Sequence, residues 1–286
     1  MNIEKYPWLS DLNSQEATSA IETARKSFLQ YGAVTFPNFL TDEALSNSVQ
    51  EARAQEEGAF TTDDTHTAYL RPINPQLPSN SVQNLEMRTQ VASIAFDELS
   101  QESHLVHVYR NPVLRSLVAK IVGKETLFLS DDPLGCCSIN VFRPGYYHSF
   151  HFDESEFSTT LMLQQASVTE TGLFQYTTPL REQPDDLALV AVASAIQRYD
   201  PMVLKEPLYE LEHGDNRTVQ PPVLHTLEFE PGTLSIFAGS KSLHRVTKVE
   251  GNQSRLVAVL TFASQPGFRN TPKVQKLFWG RSVPSD

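Results

Sequence analysis

The chain has 286 residues, with 34 acidic against 23 basic side chains and a formal net charge of −11. That charge argues against a broad phosphate-binding surface, hence against nucleic acid as a partner, but leaves room for a small anion held by one or two local arginines. Hydrophobic residues at 40% and charged residues at 20% support a sizeable core and exclude a disordered chain.

Residues 1–125 read as mostly helical support. "SQEATSAIETARKSFLQYG" carries Ala20, Ile21, Ala24, Phe28 and Leu29 at helical spacing and stops at Gly32. "AVTFPNFL" is a short strand, and "TDEALSNSVQEARAQEE" a helix with Thr41 as N-cap. "TTDDTHTAYLRPINPQLPSN" is polar and proline-bearing, so a loop, and "NPVLRSLVAKIVG" is a helix stopped at Gly123. Residues 126–265 then change to short strands rich in β-branched and aromatic residues: "ETLFLS", "CCSINVFRPG", "FSTTLMLQQ", "GLFQYTT", "HTLEFEPGTLSIFAG", "LHRVTKVEG" and "RLVAVLTFAS". "VEGNQSRLVAVLTF" reads as a hairpin. A helix, "PDDLALVAVASAIQRYD", interrupts the run with Asp185 or Asp186 as cap, and a loop continues to about Gln220. The expected fold class is α+β: a jelly-roll core buttressed by N-terminal helices, with residues 266–286 as a C-terminal segment. One domain over 1–286 is expected; a separate N-terminal helical domain is the alternative, although no flexible linker marks it.

MNIEKYPWLS lacks the basic start and apolar run of a signal peptide, and no run of about 18 apolar residues appears, so no membrane association and a cytoplasmic location are expected. Adjacent Cys136 and Cys137 would strain a disulfide and are expected to be buried thiols.

The chemistry concentrates in "HSFHFDES". On a strand, His151 and Asp153 point to one face, whereas His148 has the wrong parity. A third ligand must come from elsewhere in the sheet, and His244 in "GSKSLHRVTKV" is the candidate. Two histidines and one carboxylate suit iron(II) and leave coordination positions open. A lone H-x-D is a weak motif, more often a surface or core pair. His213 and His225 read as structural or solvated, and His66, His104 and His107 as decorating helices and loops. Arg255 begins the apolar "RLVAVLTF"; if buried, it needs an anion such as a carboxylate of 2-oxoglutarate, unless it pairs with an acid such as Glu250.

His151, Asp153, His244 and Arg255, so spaced, resemble the non-haem iron(II)/2-oxoglutarate-dependent oxygenases over residues 126–265. "HFDESEFSTTLMLQ", "GLFQYTTPLR" and "GTLSIFAGSKSLHRVTKVEG" look like the branch that hydroxylates or halogenates free amino acids. That branch carries Gly-Gly where Thr171 and Gly172 stand here. The resemblance implies iron(II), 2-oxoglutarate and O2. With Asp153 present, it implies hydroxylation rather than halogenation, coupled to conversion of 2-oxoglutarate to succinate.

It further implies a small-molecule substrate, a free amino acid. Arg71 would grip its carboxylate, or be a solvated loop arginine. Glu154 would meet an ammonium group, or face solvent. Trp279 would close over the pocket, or simply pack. Asn140 would contact 2-oxoglutarate, or serve the strand. The alternatives to this oxygenase are the same chemistry on another polar metabolite and a cupin-like protein that binds metal or ligand without turnover.

Overall fold

The structure is a computed structural model describing residues 1–200, 206–213 and 220–284. Its N-terminal helices start where side chains accept otherwise orphaned backbone N–H groups. Ser14 caps α1 (Gln15–Tyr31), Thr41 caps α2 (Asp42–Gln55), Ser103 caps α3 (His104–Arg110) and Asn111 caps α4 (Pro112–Val122). Gly32 and Gly123, at φ 80° and 77°, end α1 and α4 in the left-handed conformation.

Seven strands form one antiparallel sheet in the order β1 (Ala33–Phe36), β10 (Leu234–Phe237), β7 (Ser158–Gln164), β12 (Arg255–Leu260), β5 (Cys137–Phe142), β3 (Met87–Ile94) and β2 (Phe60–His66). A second antiparallel sheet has four strands: β6 (His148–His151), β11 (His244–Val246), β8 (Phe174–Thr177) and β9 (Leu224–Thr226). β4 (Phe128–Leu129) pairs separately with β13 (Phe262–Ala263). The fold is therefore mixed helix and antiparallel sheet.

Strand parity divides the seven-stranded sheet into two faces. Ile139, Val141, Leu161, Leu234, Ile236, Leu256 and Ala258 form one core with Ile21, Phe28, Leu114, Leu117 and Ile121 of α1 and α4. The opposite face carries Asn140, Phe142, Thr160, Ser235, Phe237 and Arg255. The smaller sheet covers it: Phe237 meets Phe174 at 5.0 Å and His244 at 4.8 Å, while Val246 clusters with Phe142 and Val91.

Four readings are corrected. Residues 60–66 and 87–94 pair as β2 and β3, so strand flanks the loop expected at 61–80 and interrupts the helical texture. "FTTDDTH" carries few apolar residues because β2 is a sheet edge; pairing with β3 and an Arg88–Asp63 bridge at 2.7 Å hold it. The sequence around "VEGN" is not a hairpin: β11 pairs with β6 and β8, whereas β12 pairs with β5 and β7. The apolar β12 takes a central place in the larger sheet, so the connection crosses between sheets. The helical insert starts later, as α5 (Leu189–Tyr199), since Ala188 sits at φ 45° and its N–H goes to Asp186 Oδ1 at 3.1 Å. Finally, a short helix, α6 (Tyr209–His213), interrupts the expected loop, of which residues 201–205 and 214–219 lie outside the described residues.

α5 buries Val192, Ala193, Ala195 and Ile196 against Phe150, Phe152 and Tyr69. Helix α7 (Pro272–Trp279), capped by Thr271, packs on β2 and β3. Cys136 and Cys137 are free, buried thiols, and burial pushes that of Cys136 up to about 12. Among the described residues, no helix is long and apolar enough to cross a membrane.

Candidate metal centre

β6 and β11 run side by side with His151 opposite His244, so both imidazoles project from one face, their centroids 4.1 Å apart. His151 Nδ1 lies 2.8 Å from the Ser149 carbonyl and His244 Nδ1 lies 3.0 Å from that of Ser242. A carbonyl only accepts, so each Nδ1 carries the proton and each Nε2 presents a lone pair. Both lone pairs face Asp153 Oδ1, at 3.5 Å from His151 and 3.3 Å from His244. Ser158 donates to Asp153 Oδ2 at 2.6 Å, and the Asp153 N–H donates to the Gly239 carbonyl at 3.0 Å. A Cβ on residue 239 would overlap the Asp153 carboxylate, so glycine there permits the close approach.

One donor atom from each of His151, Asp153 and His244 falls within 4.8 Å of the others. Burial, then the neighbouring His244, lowers the His151 pKa to about 4 and keeps that ring neutral. Burial alone would raise Asp153, but the two imidazoles overcome it and hold the carboxyl well below its usual range. Two imidazoles and one carboxylate, each braced by a further hydrogen bond, fit a first-row metal that keeps open positions.

Two more histidines lie close by. A register shift in the β6–β11 pairing brings His148 opposite Val246, and its ring stacks on His151 at 3.7 Å and 16°. Strand parity misplaces this ring, although His148 stays outside the three-residue donor set. His66 is a correction: rather than decorating a loop, it ends β2 with its ring 5.7 Å from His151 and 5.4 Å from His148. Its Nε2 pairs with Thr89 Oγ1 at 2.6 Å. No local pattern marks it, because only the β2–β3–β6 arrangement brings it in.

Arg255 opens β12 opposite Phe142, on the face toward the smaller sheet. It is 2% exposed, and no acid lies within ion-pair distance among the described residues. Its Nε has no hydrogen-bond partner, its guanidinium lies 5.3 Å from the Phe142 ring centre, and burial alone lowers its pKa to about 9. Glu250, the acid in reach by sequence, is exposed and does not pair with it. Gly172, at φ 60°, lies against the Arg255 side chain, where a Cβ would meet Cδ at 3.1 Å. Phe142, Val246 and Phe174 pack in one cluster between Arg255 and His244, Phe142 under the guanidinium and Phe174 5.5 Å from the imidazole. A buried cation without an anion is costly, so the position of Arg255 suits a carboxylate.

The remaining candidates are spread out. Asn140 shares the Arg255 face, opposite Val257; among the described residues its side-chain oxygen has one contact, from Ser93 Oγ at 3.5 Å. Arg71 is half exposed beside a cavity of about 320 Å³ lined by Tyr69, Pro72, Asn74, Gln83 and Leu187. Glu154 is exposed. Trp279 ends α7 with its ring against Gly135, two residues before β5, and its Nε1 is buried without a partner among the described residues. A wider open groove, about 1030 Å³ between α1 and β1, contains none of these residues.

No family model matches the sequence, and no curated protein matches it significantly. Solved structures do match in fold. The epimerase SnoN, in complex with Fe3+, alpha ketoglutarate and nogalamycin RO, aligns at TM-score 0.56 and 12% identity over 86% of this chain and 84% of its own. SnoK, a non-haem alpha ketoglutarate dependent carbocyclase from nogalamycin biosynthesis, aligns at 0.53 and 13% over 97% of this chain and 96% of its own. A prolyl hydroxylase from Trichoplax adhaerens, in complex with a peptide fragment of hypoxia inducible factor, aligns at 0.51 and 10% over 87% and 91%. The shared feature is the fold; an epimerase, a carbocyclase and a prolyl hydroxylase differ from one another in reaction.

Proposed function

We propose that the chain is an iron(II)- and 2-oxoglutarate-dependent dioxygenase, one domain built on a double-stranded β-helix, or jelly-roll, core. The observation that carries this reading is Arg255, a buried guanidinium with no acid within ion-pair distance among the described residues, packed on the Phe142–Val246–Phe174 cluster that borders His244. A barrel that only stored metal would have no use for an anion anchor there. The bound metal and cosubstrate would supply O2 activation and oxidation of a substrate C–H bond, with 2-oxoglutarate leaving as succinate and CO2.

The protein's part is positional. His151 and His244 would hold the metal through Nε2, with each Nδ1 turned to a backbone carbonyl, of Ser149 and Ser242. Asp153 supplies Oδ1, while Ser158 fixes its other oxygen. Arg255 takes the far carboxylate of the cosubstrate, with Asn140 available on the same face. Phe142, Phe174 and Phe237 keep bulk water from that pocket. Because Asp153 fills a third protein position on the metal, hydroxylation is favoured over halogenation. An epimerase, a carbocyclase and a prolyl hydroxylase share this fold, so the fold alone does not select the reaction. For substrate we favour a free polar or cationic amino acid in the cytoplasm, with Arg71 at the cavity supporting a carboxylate contact.

The test has two stages. Without oxygen, iron(II) and 2-oxoglutarate together should give the weak visible absorption of a chelate. With oxygen, a screen of free amino acids should find one that drives succinate release and gains one oxygen atom. A protein that binds iron but shows neither chelate nor turnover would be a metal-binding barrel instead.

A further inference from the structure

We propose that His148 is a substrate-positioning residue, whose imidazole donates a hydrogen bond to an oxygen of the small molecule held on the open side of the metal centre. It rests on the oxygenase reading above and gives the substrate one required feature: an oxygen acceptor within reach of His148.

Four histidine rings converge here, and their nitrogens are used differently. His151 and His244 each turn Nδ1 to a backbone carbonyl and leave Nε2 toward Asp153. His66 uses both nitrogens inside the protein, Nδ1 lying 3.1 Å from the Thr67 carbonyl and Nε2 2.6 Å from Thr89 Oγ1. A carbonyl only accepts, so its Nδ1 carries the proton and its Nε2 accepts from the threonine hydroxyl. His148 uses neither. Its ring has no hydrogen-bond partner among the described residues, the residue is half-buried, and neither nitrogen is sealed from solvent.

The strands decide where this free ring points. From His151 to His148 β6 takes three steps, while β11 takes two from His244 to Val246. The extra residue re-aims the side chain. Val246 packs with Phe142 and Val91 between the sheets, and His148 opposite it turns inward too, whereas Phe150 points the other way, toward α5. The His148 ring then stacks on His151 at 3.7 Å, and His66 from β2 meets it edge-on at 5.4 Å and 78°.

His244 lies 4.1 Å from the same His151 ring. Two rings this near cannot share one side of an imidazole, so His148 and His244 cover opposite sides of it. The coordination position across the metal from His244 therefore falls on the His148 side. Asp153 does not fill it: Oδ1 is 3.3 Å from His244 Nε2, whereas donors opposite each other on such a metal stand about 4 Å apart. An imidazole carries a proton on at least one nitrogen whether neutral or charged, so His148 offers that side a donor in either state.

The competing role for His148 is a stacking support for His151. His148→Phe separates the two, because it keeps the stack and removes both nitrogens. Protein loaded with manganese(II) and 2-oxoglutarate, kept free of oxygen, is titrated with the twenty L-amino acids. Each is set beside its decarboxylated amine, and serine and threonine also beside alanine and 2-aminobutyrate, which lack the hydroxyl. At least one amino acid should bind saturably to wild type, and His148→Phe should weaken it about tenfold. That loss should vanish for the counterpart lacking the contacted oxygen, as a pairwise contact requires. His148→Gln, which keeps a donor, should lose less. Affinities for manganese(II) and 2-oxoglutarate should stay within twofold of wild type in both variants, which also shows that they are folded. Normal binding by His148→Phe, an equal loss for a ligand and its counterparts, a drop in metal or 2-oxoglutarate affinity that accounts for the effect, or no binder at all would overturn the contact. Wild-type protein that fails to bind 2-oxoglutarate would instead overturn the oxygenase reading.

Discussion

The two faces of the seven-stranded sheet share one backbone and differ in nearly everything else. Toward the helices, Ile139, Val141, Leu161, Leu234 and Leu256 are buried among apolar side chains. Toward the smaller sheet, Asn140, Thr160, Ser235 and Arg255 stand beside Phe142 and Phe237, and the triad looks onto them. One face stabilises the fold through the area it removes from water. The other keeps polar groups, and one uncompensated charge, that a core built for stability would omit. A one-residue slip in register would exchange the two, so the apolar face also sets where the functional residues point.

The largest expected effect comes from cutting into each face. Leu161→Ala should lower unfolding free energy by about 2–5 kcal/mol, through lost burial and a residual cavity. Folded Leu161→Ala protein should still bind metal and 2-oxoglutarate normally. Arg255→Ala should do the reverse. Without ligand its stability should match or exceed wild type, because a desolvated, unpaired cation is removed. Its 2-oxoglutarate affinity should fall by about 2–5 kcal/mol, with Arg255→Lys intermediate. Chemical denaturation alongside anaerobic 2-oxoglutarate titration measures both quantities. If Arg255→Ala unfolds as readily as Leu161→Ala, the division between faces is wrong.

A smaller effect is expected in acid, in protein stripped of metal. The folded pKa of His151 is about 4 against an ordinary 6.5, so between those values the unfolded chain binds the proton more readily. Stability therefore rises with pH across this window and is lost as pH falls through it, by about 3 kcal/mol from His151 alone. Asp153, whose folded pKa is also depressed, adds a loss of the same sign at lower pH. Urea midpoints measured from pH 7 to pH 4 should drop, and His151→Gln should flatten the drop.

Much of this arrangement is legible in the sequence. Caps at Thr41 and stops at Gly32 and Gly123 are local chemistry, and the parity of His151 and Asp153 is local geometry. Long-range pairing was not legible. The edge strand β2 lacks an apolar stripe because one partner strand and α7 hold it, so its sequence looks like loop. The turn after β11 looks like a hairpin because nothing local says that the next strand joins another sheet. A register shift brings the His148 ring onto His151, outside the donor set as parity requires, and three strands must assemble before His66 joins them. Each depends on a neighbour distant in sequence.

The smallest effect tests the comparison at its finest grain, between adjacent residues of β5. Ile139 faces the helices and Asn140 faces Arg255. Ile139→Val removes one buried methyl group and should cost about 0.5–1.5 kcal/mol of stability while leaving 2-oxoglutarate affinity alone. Asn140→Ala should do the opposite. Among the described residues its amide is tied only through the 3.5 Å Ser93 contact, so little native hydrogen bonding is lost. If the amide reaches the cosubstrate, affinity should fall by about 1 kcal/mol, roughly fivefold, well short of the Arg255→Ala loss. An Asn140→Ala protein with unchanged 2-oxoglutarate affinity and reduced stability would assign Asn140 to the strand. The polar face would then contribute its anion anchor through Arg255 alone.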